Sequence, residues 1–407
     1  MVKHLAVVGS GTGGTFAANL LCSKLKEQVR LGDVQILLVG EGFRHHFQPA
    51  NLDIAFRGGH PDDHSKAEMD LLKSGVTYIP DPAGRIDLEN RKIITVGGDS
   101  FDYDQVIVAT GAEASPGTVP GLAEGSVNFH SGPAAAMKVW DSVRSFKKGR
   151  IGVVIAKEPH KSPPSPDAAL FLLDEHFRHR GIRGQVELTL LTPHPKPYPE
   201  EDIAEVVAPI FDKRGIRTVP SFTIQSVDPK AKKAISSEGD EYAYDLLIAI
   251  PPHRGREIVR DSTFGGEEGW IKVDKHKMTI EGHDDAFAVG DATNIPVYKS
   301  GVAAYLESKV VASNVAAEIT GEERRWEYDG RISSPMELGH RRAIIVSSTY
   351  HKPVSIQAPS LVNYAMKRGF DAIYWSILSC RWEWVLNAYF GQTIETQNMA
   401  VQNVPQY

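Results

Sequence analysis

Residues 4–19 read HLAVVGSGTGGTFAAN, and no other stretch limits the fold as strongly. The apolar run Leu5 to Val8 leads into Gly9, Gly11 and Gly14, then into small residues with helical character. That is strand, tight turn, helix. A helix N-terminus presents bare backbone N–H groups and a positive partial charge, and a side chain at Gly9 or Gly11 would hold a phosphate away from them. A glycine pattern of this kind also occurs in ordinary turns. The question is whether the chain supplies the other parts of a dinucleotide site.

Three later stretches do. Residues 34–39 (VQILLV) read as a second strand, with Glu41 at its C-terminal end. Glu41 is either the acceptor for both hydroxyls of an adenosine ribose or a solvated loop acid. Its distance from Gly9 exceeds the usual ~20 residues, which an extended helix and loop over 24–32 accounts for. Residues 103–112 (YDQVIVATGA) form a buried parallel strand, apolar without alternation, that ends in Ala109, Thr110 and Gly111, small enough for a ligand to lie against the backbone. Residues 285–292 (DAFAVGDA) deliver Gly290 and Asp291 at a strand end. Behind them come Lys299, Gly301 and a long helix over 302–320. This places a carboxylate able to bind polyol hydroxyls beside a lysine and a helix N-terminus that favour negative charge.

A second strand–helix–strand unit begins at residues 150–156, with helices expected over 167–180 and 200–214 and strands over 186–191 and 244–254. Where its nucleotide turn belongs the chain reads KEPHKSPPSP (157–166). Prolines 163, 164 and 166 remove N–H groups that would bind pyrophosphate. The strand over 186–191 ends in Thr192-Pro193, not in an acid. The unit has the layout of a dinucleotide domain and poor chemistry for a nicotinamide dinucleotide.

The chain has 407 residues, enough for two or three domains, and its 42% hydrophobic and 24% charged residues fit a globular protein. A net charge of -6 gives no general pull toward nucleic acid. No secretory leader is expected from the residues before Gly9, and no apolar run reaches the ~18 residues of a membrane span. Two cysteines, Cys22 and Cys380, fit a reducing compartment and exclude a disulfide framework. Cys22 is expected in the core and Cys380 as a lone thiol. No metal is expected: the adjacent His45 and His46 point to opposite faces of an extended segment, and we place them at the surface or the cofactor's edge. Residues 361–390 are rich in aromatics broken by Lys367, Arg368 and Arg381. They form either an amphipathic helix at a membrane interface or a helix pair packed on the protein or on a second subunit.

The glycine turn, the YDQVIVATGA strand and the AFAVGDA strand occur in this order across some 280 residues of the chain. Together they resemble the FAD-binding flavoproteins with two dinucleotide-binding domains. FRHHFQP (43–49), KSPPSP (161–166), DLLIAIPPHRG (245–255), NIPVYKSG (294–301) and the aromatic tail are most similar to the sulfide:quinone oxidoreductase branch. Flavocytochrome c sulfide dehydrogenase and type II NADH:quinone oxidoreductase are its relatives. The resemblance implies an α/β fold with two Rossmann-like domains and a C-terminal amphipathic helical tail. The expected domains are an FAD-binding domain of residues 1–115 and 285–330, a second Rossmann-like domain of 116–284, and a membrane, quinone or interface region of 331–407. Gly9, Gly11 and Gly14 would hold the FAD pyrophosphate, and Glu41 its ribose. Thr110 and Gly111 would line the cofactor, Asp291 would bind the ribityl chain, and Gly301 and Val302 would bring a helix N-terminus to the flavin. Lys299 would lie near the flavin as a catalytic candidate. Tyr374, Trp375, Trp382, Trp384 and Phe390 would contact quinone or membrane. The family's paired redox cysteines are absent, with Ser162 in the position of one, and a serine cannot carry a persulfide. The implied activity is electron transfer from an unidentified small-molecule or protein donor through FAD to a quinone. The alternatives are a type II NADH:quinone oxidoreductase, or an FAD-binding electron-transfer or assembly subunit without a small substrate of its own. The expected setting is peripheral, on the cytoplasmic side of a prokaryotic cell membrane, as a homo-oligomer that binds no nucleic acid.

Overall fold

The computed structural model describes residues 2–323, 325–381 and 395–396. Its first sheet has five parallel strands in the order Ala286–Ala288, Gln105–Val108, Lys3–Val8, Val34–Val39, Val76–Ile79. The central strand is the one that feeds the glycine turn. Its last four residues are buried, as a strand covered on both faces requires. The helix Thr12–Lys24 packs on one face of this sheet beside the long helix Gly301–Thr320, and both carry small residues where they meet. The Ser308 hydroxyl donates to the Gly13 carbonyl across that seam at 3.0 Å. Close approach of the two helices brings their N-termini together at the C-terminal edge of the sheet, where an α/β sheet binds ligands.

The second sheet repeats the plan with four parallel strands, Ile216–Val219, Val186–Leu191, Gly149–Ile155 and Leu246–Ile250. Each large sheet is accompanied by a three-stranded antiparallel sheet, residues 83–102 in the first unit and 224–243 in the second. The stretch expected as one strand over 244–254 is two. Pro251 and Pro252 cannot donate to a ladder, and the chain resumes as His253–Gly255, antiparallel to Ala112–Ala114 from the first unit. This short ribbon ties the ends of the two equivalent strands together.

A third, three-stranded antiparallel sheet, Ile332–Glu337, Ala343–Ser348 and Ser355–Ser360, had no counterpart in the sequence reading. It leads into the helix Leu361–Leu378, capped by the Ser360 hydroxyl, which accepts from the Asn363 N–H. The helix lays Tyr374, Ile377 and Leu378 into the core of the first unit. Among the described residues, no helix is long and apolar enough to cross a membrane.

Candidate functional site

The glycines of the turn do different jobs. Gly9 has φ +109°, and an added Cβ would overlap the Ala109 carbonyl oxygen. At Gly14 a Cβ would overlap the Gly9 carbonyl oxygen. These two let the turn close against the neighbouring strand. Around Gly11 no protein atom comes within 4 Å of an added Cβ, so the space before the helix N-terminus is open. The Thr110 hydroxyl on the adjoining strand end is buried without a hydrogen-bond partner. Gly111 follows at φ +69°, also with open space beside it. An orphaned hydroxyl and an open helix N-terminus at one sheet edge fit a bound dinucleotide.

Asp291 sits in a short turn, Gly290–Ala292, gripped from two sides. Glu307, on the long helix, accepts the Gly290 N–H at 2.5 Å. The Lys299 ammonium donates to the carbonyls of Asp291 (3.1 Å) and Thr293 (2.7 Å) and lies 4.0 Å from the centre of the Trp270 ring. Lys299 is therefore placed to hold the Asp291 turn. Ser300 caps the helix Gly301–Thr320 by accepting the Ala303 N–H, and Gly301 and Val302 begin it beside Thr12. Glu41 is exposed at the end of its strand, 3.4 Å from Arg256.

Burial pushes the Glu307 carboxyl up, and the Asp291 charge adds to the rise; the Gly290 N–H and Lys299 oppose it, and it settles at about 7. The folded chain thus binds a proton between pH 4.5 and about 7 that the unfolded chain has lost, so stability falls as pH rises through that window. We expect Glu307→Gln, which keeps an acceptor for Gly290, to raise stability by about 3 kcal/mol at pH 8 and to change little at pH 4.5, read as paired thermal melts. Equal shifts at both pH values would disprove the titration.

The segment in place of a second nucleotide turn lies against the first unit. Ser162, at φ +52°, donates its N–H to the Lys299 carbonyl at 2.9 Å, and Lys161 reaches within 3.9 Å of the Asp291 carboxylate. Around it cluster His130, His160, His253 and Ser165, a group the sequence did not reveal because it is drawn from three separate stretches. His130 contacts the Ser165 hydroxyl at 3.1 Å and stands 5.1 Å, ring to ring, from His253.

Of the two places expected for His45, the surface is corrected. It is buried, with Nδ1 3.0 Å from the Glu68 carboxylate and Nε2 2.7 Å from the Tyr374 hydroxyl. Tyr374 also pairs with the Thr12 hydroxyl at 2.9 Å, so it faces the interior and anchors the C-terminal helix to the start of the glycine helix. Trp375 is half-buried beside it, under Lys66. Trp382, Trp384 and Phe390 lie outside the described residues. Cys22 is in the core, and Cys380 is partly buried after the helix end. Glu175, His179 and His340 bring ligand atoms within 4.8 Å of one another at the surface, but Glu175 already pairs with Arg57 and accepts the His340 N–H.

Residues 3–156 match the family described as pyridine nucleotide-disulphide oxidoreductase. Along 94% of its length the chain is 26% identical to the mitochondrial sulfide:quinone oxidoreductase of Dictyostelium discoideum, covering 87% of that protein. Its fold superposes on the sulfide:quinone oxidoreductase of Aquifex aeolicus with a TM-score of 0.85 at 20% identity, covering 96% of both chains. Its relatives are sulfide:quinone oxidoreductases. Ferroptosis suppressor protein 1 and type II NADH:quinone oxidoreductase are further curated relatives. The fold also matches a chain in the mitochondrial ATP synthase of Tetrahymena thermophila, with a TM-score of 0.75 at 17% identity over 93% of this chain and 96% of that one. The fold is that of FAD-binding flavoproteins, and the glycine turn with its orphaned Thr110 fits that cofactor.

Proposed function

We propose that the protein is an FAD-dependent oxidoreductase of the sulfide:quinone oxidoreductase type, passing electrons from a donor to a quinone. The observation that carries this is the open helix N-terminus at Gly11 together with the unpartnered Thr110 hydroxyl at the neighbouring strand end, in a chain related to quinone-reducing flavoproteins along nearly its whole length. FAD would be held by Gly9, Gly11, Gly14, Glu41, Thr110, Gly111 and Asp291, with the Gly301–Val302 helix N-terminus at its ring. Bound FAD supplies the two-electron exchange between donor and quinone. Lys299 and Glu307 fix the Asp291 turn. The capped helix N-terminus presents positive partial charge to whatever negative charge develops before it.

The quinone end is assigned to the C-terminal helix and the aromatic residues around Trp375, which also bring the protein to the cytoplasmic face of a prokaryotic membrane as a homo-oligomer. The donor end is assigned to the cluster of Ser162, Lys299 and the histidines. NADH fits the second unit poorly. The helix Ser165–His179 starts with Pro166, which has no N–H to offer, and with the buried Asp167.

The test is an anaerobic titration of the gently purified protein with sulfide, a thiol and NADH in turn, followed by a quinone. Bleaching of the flavin bands by sulfide or the thiol, and their return on adding quinone, is the expected result. Bleaching by NADH instead would favour the type II reading. A second reading, an FAD-binding subunit of a larger assembly, draws support from the match to a chain of the ATP synthase structure and from the lack of any cysteine between Cys22 and Cys380. FAD retained but bleached by none of the three donors would favour it. Absent flavin bands would overturn the whole scheme.

A further inference from the structure

An unbroken run of hydrogen bonds ties the C-terminal helix to the first turn of the glycine helix. The Thr15 hydroxyl donates to one oxygen of the Glu68 carboxylate at 2.5 Å, and the other oxygen stands 3.0 Å from His45 Nδ1. His45 Nε2 is 2.7 Å from the Tyr374 hydroxyl, which is 2.9 Å from the Thr12 hydroxyl. Thr15, Glu68, His45 and Tyr374 are buried, whereas Thr12 is partly exposed next to the open space at Gly11. Burial pushes the Tyr374 phenol up, so it passes a hydrogen bond along without becoming an anion. The other titratable groups around His45 are turned elsewhere. Lys66, paired with His45 across the strands, is exposed and lies over Trp375. His46 points the other way, to Ser65 and Asn51, and Tyr78, beside Glu68, donates to the Gly42 carbonyl. The first turn of the glycine helix brings Thr12 and Thr15 and no charged side chain.

These partners allow two complete arrangements. With one proton on the His45–Glu68 pair, Nδ1–H donates to Glu68, Nε2 accepts the Tyr374 O–H, and the Tyr374 oxygen accepts the Thr12 O–H. The Thr12 hydrogen then points inward. With a second proton on the pair, Nε2–H donates to Tyr374, and the Tyr374 O–H donates to Thr12. The Thr12 hydrogen is then free to point outward. We infer that FAD binding is coupled to this second proton, which turns the Thr12 hydroxyl into a donor for the FAD pyrophosphate. The inference deepens the FAD reading above and rests on it. A proton entering at Thr12 converts the first arrangement into the second by one hop per bond. It binds the Thr12 oxygen, the former Thr12 proton moves to Tyr374, and the former Tyr374 proton moves to Nε2. No heavy atom need move and no electron is transferred. An anion before a helix N-terminus favours a donor there, so it favours the doubly protonated pair. By linkage, FAD affinity falls as pH rises through the titration of the pair. His45, Glu68 and Tyr374 act through Thr12 and are positioning residues.

The test titrates FAD into the full-length protein stripped of flavin, from about pH 6 to about pH 9, by calorimetry in buffers of different ionisation enthalpy. We expect affinity about tenfold weaker at the high end, the worth of one hydrogen bond to a charged acceptor, with uptake of about half a proton per FAD midway. Tyr374→Phe cuts the relay and leaves the Thr12 hydroxyl free at every pH. Its FAD affinity should vary by less than about twofold across the range and exceed that of the wild type at the high end. Thr12→Val removes the donor, so it should bind FAD about tenfold more weakly than the wild type at the low end and also lose the pH dependence. A tyrosine with a merely structural role would instead leave Tyr374→Phe weaker at every pH, with the wild-type slope kept. That result, or wild-type affinity that is flat with pH and takes up no proton, would overturn the inference and leave the FAD reading standing. No FAD binding at any pH would overturn both.

Discussion

Gly11→Ala should empty the protein of FAD and leave its fold nearly untouched, whereas Gly14→Ala should break the fold itself. At Gly11 the backbone is extended (φ -84°, ψ -171°), so alanine fits without strain, and no protein atom lies within 4 Å of its methyl group. The cost to the apo chain is at most about 1 kcal/mol, the usual penalty for alanine at a helix N-cap. The methyl group does occupy the space a phosphate needs, and FAD affinity should fall on the order of 100-fold, since overpacking a close contact costs about 1–3 kcal/mol. At Gly14 the methyl group meets the Gly9 carbonyl, a backbone atom fixed by the hydrogen bond from the Gly9 N–H to Val39. Relief requires moving the glycine helix off the sheet, at about 3 kcal/mol or more. Apo melting curves and FAD fluorescence titrations of the two variants separate these outcomes. A Gly11→Ala protein that binds FAD as tightly as the wild type would refute the assignment of the turn.

How much of this was legible in the sequence depended on how local each signal was. The glycine turn, the ATGA and AVGDA strand ends and the long helix after Ser300 are each written within about ten contiguous residues, and all stand close to where the pattern put them. The third sheet was not legible. Its strands carry Pro335, Pro359 and six serines, and they gain strand structure from pairing and from packing on the neighbouring helices, not from alternation. The surroundings of His45, His253 and Glu307 were invisible for another reason. Each depends on residues that the topology brings in from elsewhere: Glu68 and Tyr374 for the first, Lys161 and His130 for the second, Gly290 for the third. The sequence places His45 at the surface or the cofactor's edge, since adjacent histidines on an extended segment point to opposite faces and no acidic partner is near in sequence. A buried glutamate and tyrosine satisfied it instead. The tail shows both effects, since its helix was foreseen and its inward-facing Tyr374 was not.

Glu337→Ala should release the C-terminal helix, because Glu337 is the buried carboxylate on which that helix is docked. It receives a two-pronged pair from Arg57, at 2.9 and 3.1 Å, and Lys367 of the C-terminal helix stands 3.6 Å away. Arg57 and Arg368 both reach Asp53, at 2.7 and 2.6 Å, and Lys367 also holds Asp371. Three elements distant in sequence, the helix Asn51–Arg57, the strand Ile332–Glu337 and the helix Leu361–Leu378, meet in this one network. Removing Glu337 leaves Arg57 and Lys367 facing each other largely out of water, and breaking one member of a buried ion pair costs about 3–5 kcal/mol. The loss should appear first as faster hydrogen exchange and proteolysis in residues 361–378, with the first sheet still protected. The same network sets an acid limit. Burial alone would raise the Asp53 carboxyl, but Lys367, Arg368 and Arg57 outweigh it and hold it down at about 2. A depressed carboxyl stabilises the fold above its unfolded value of 3.8, and that contribution, about 2 kcal/mol, disappears as pH falls through about 2. Acid titration of Asp53→Asn should therefore show a shallower loss of stability between pH 5 and 2 than the wild type. Superimposable acid curves, together with unaltered exchange in the Glu337→Ala helix, would mean that the apolar stripe of Ile377 and Leu378 docks the helix by itself.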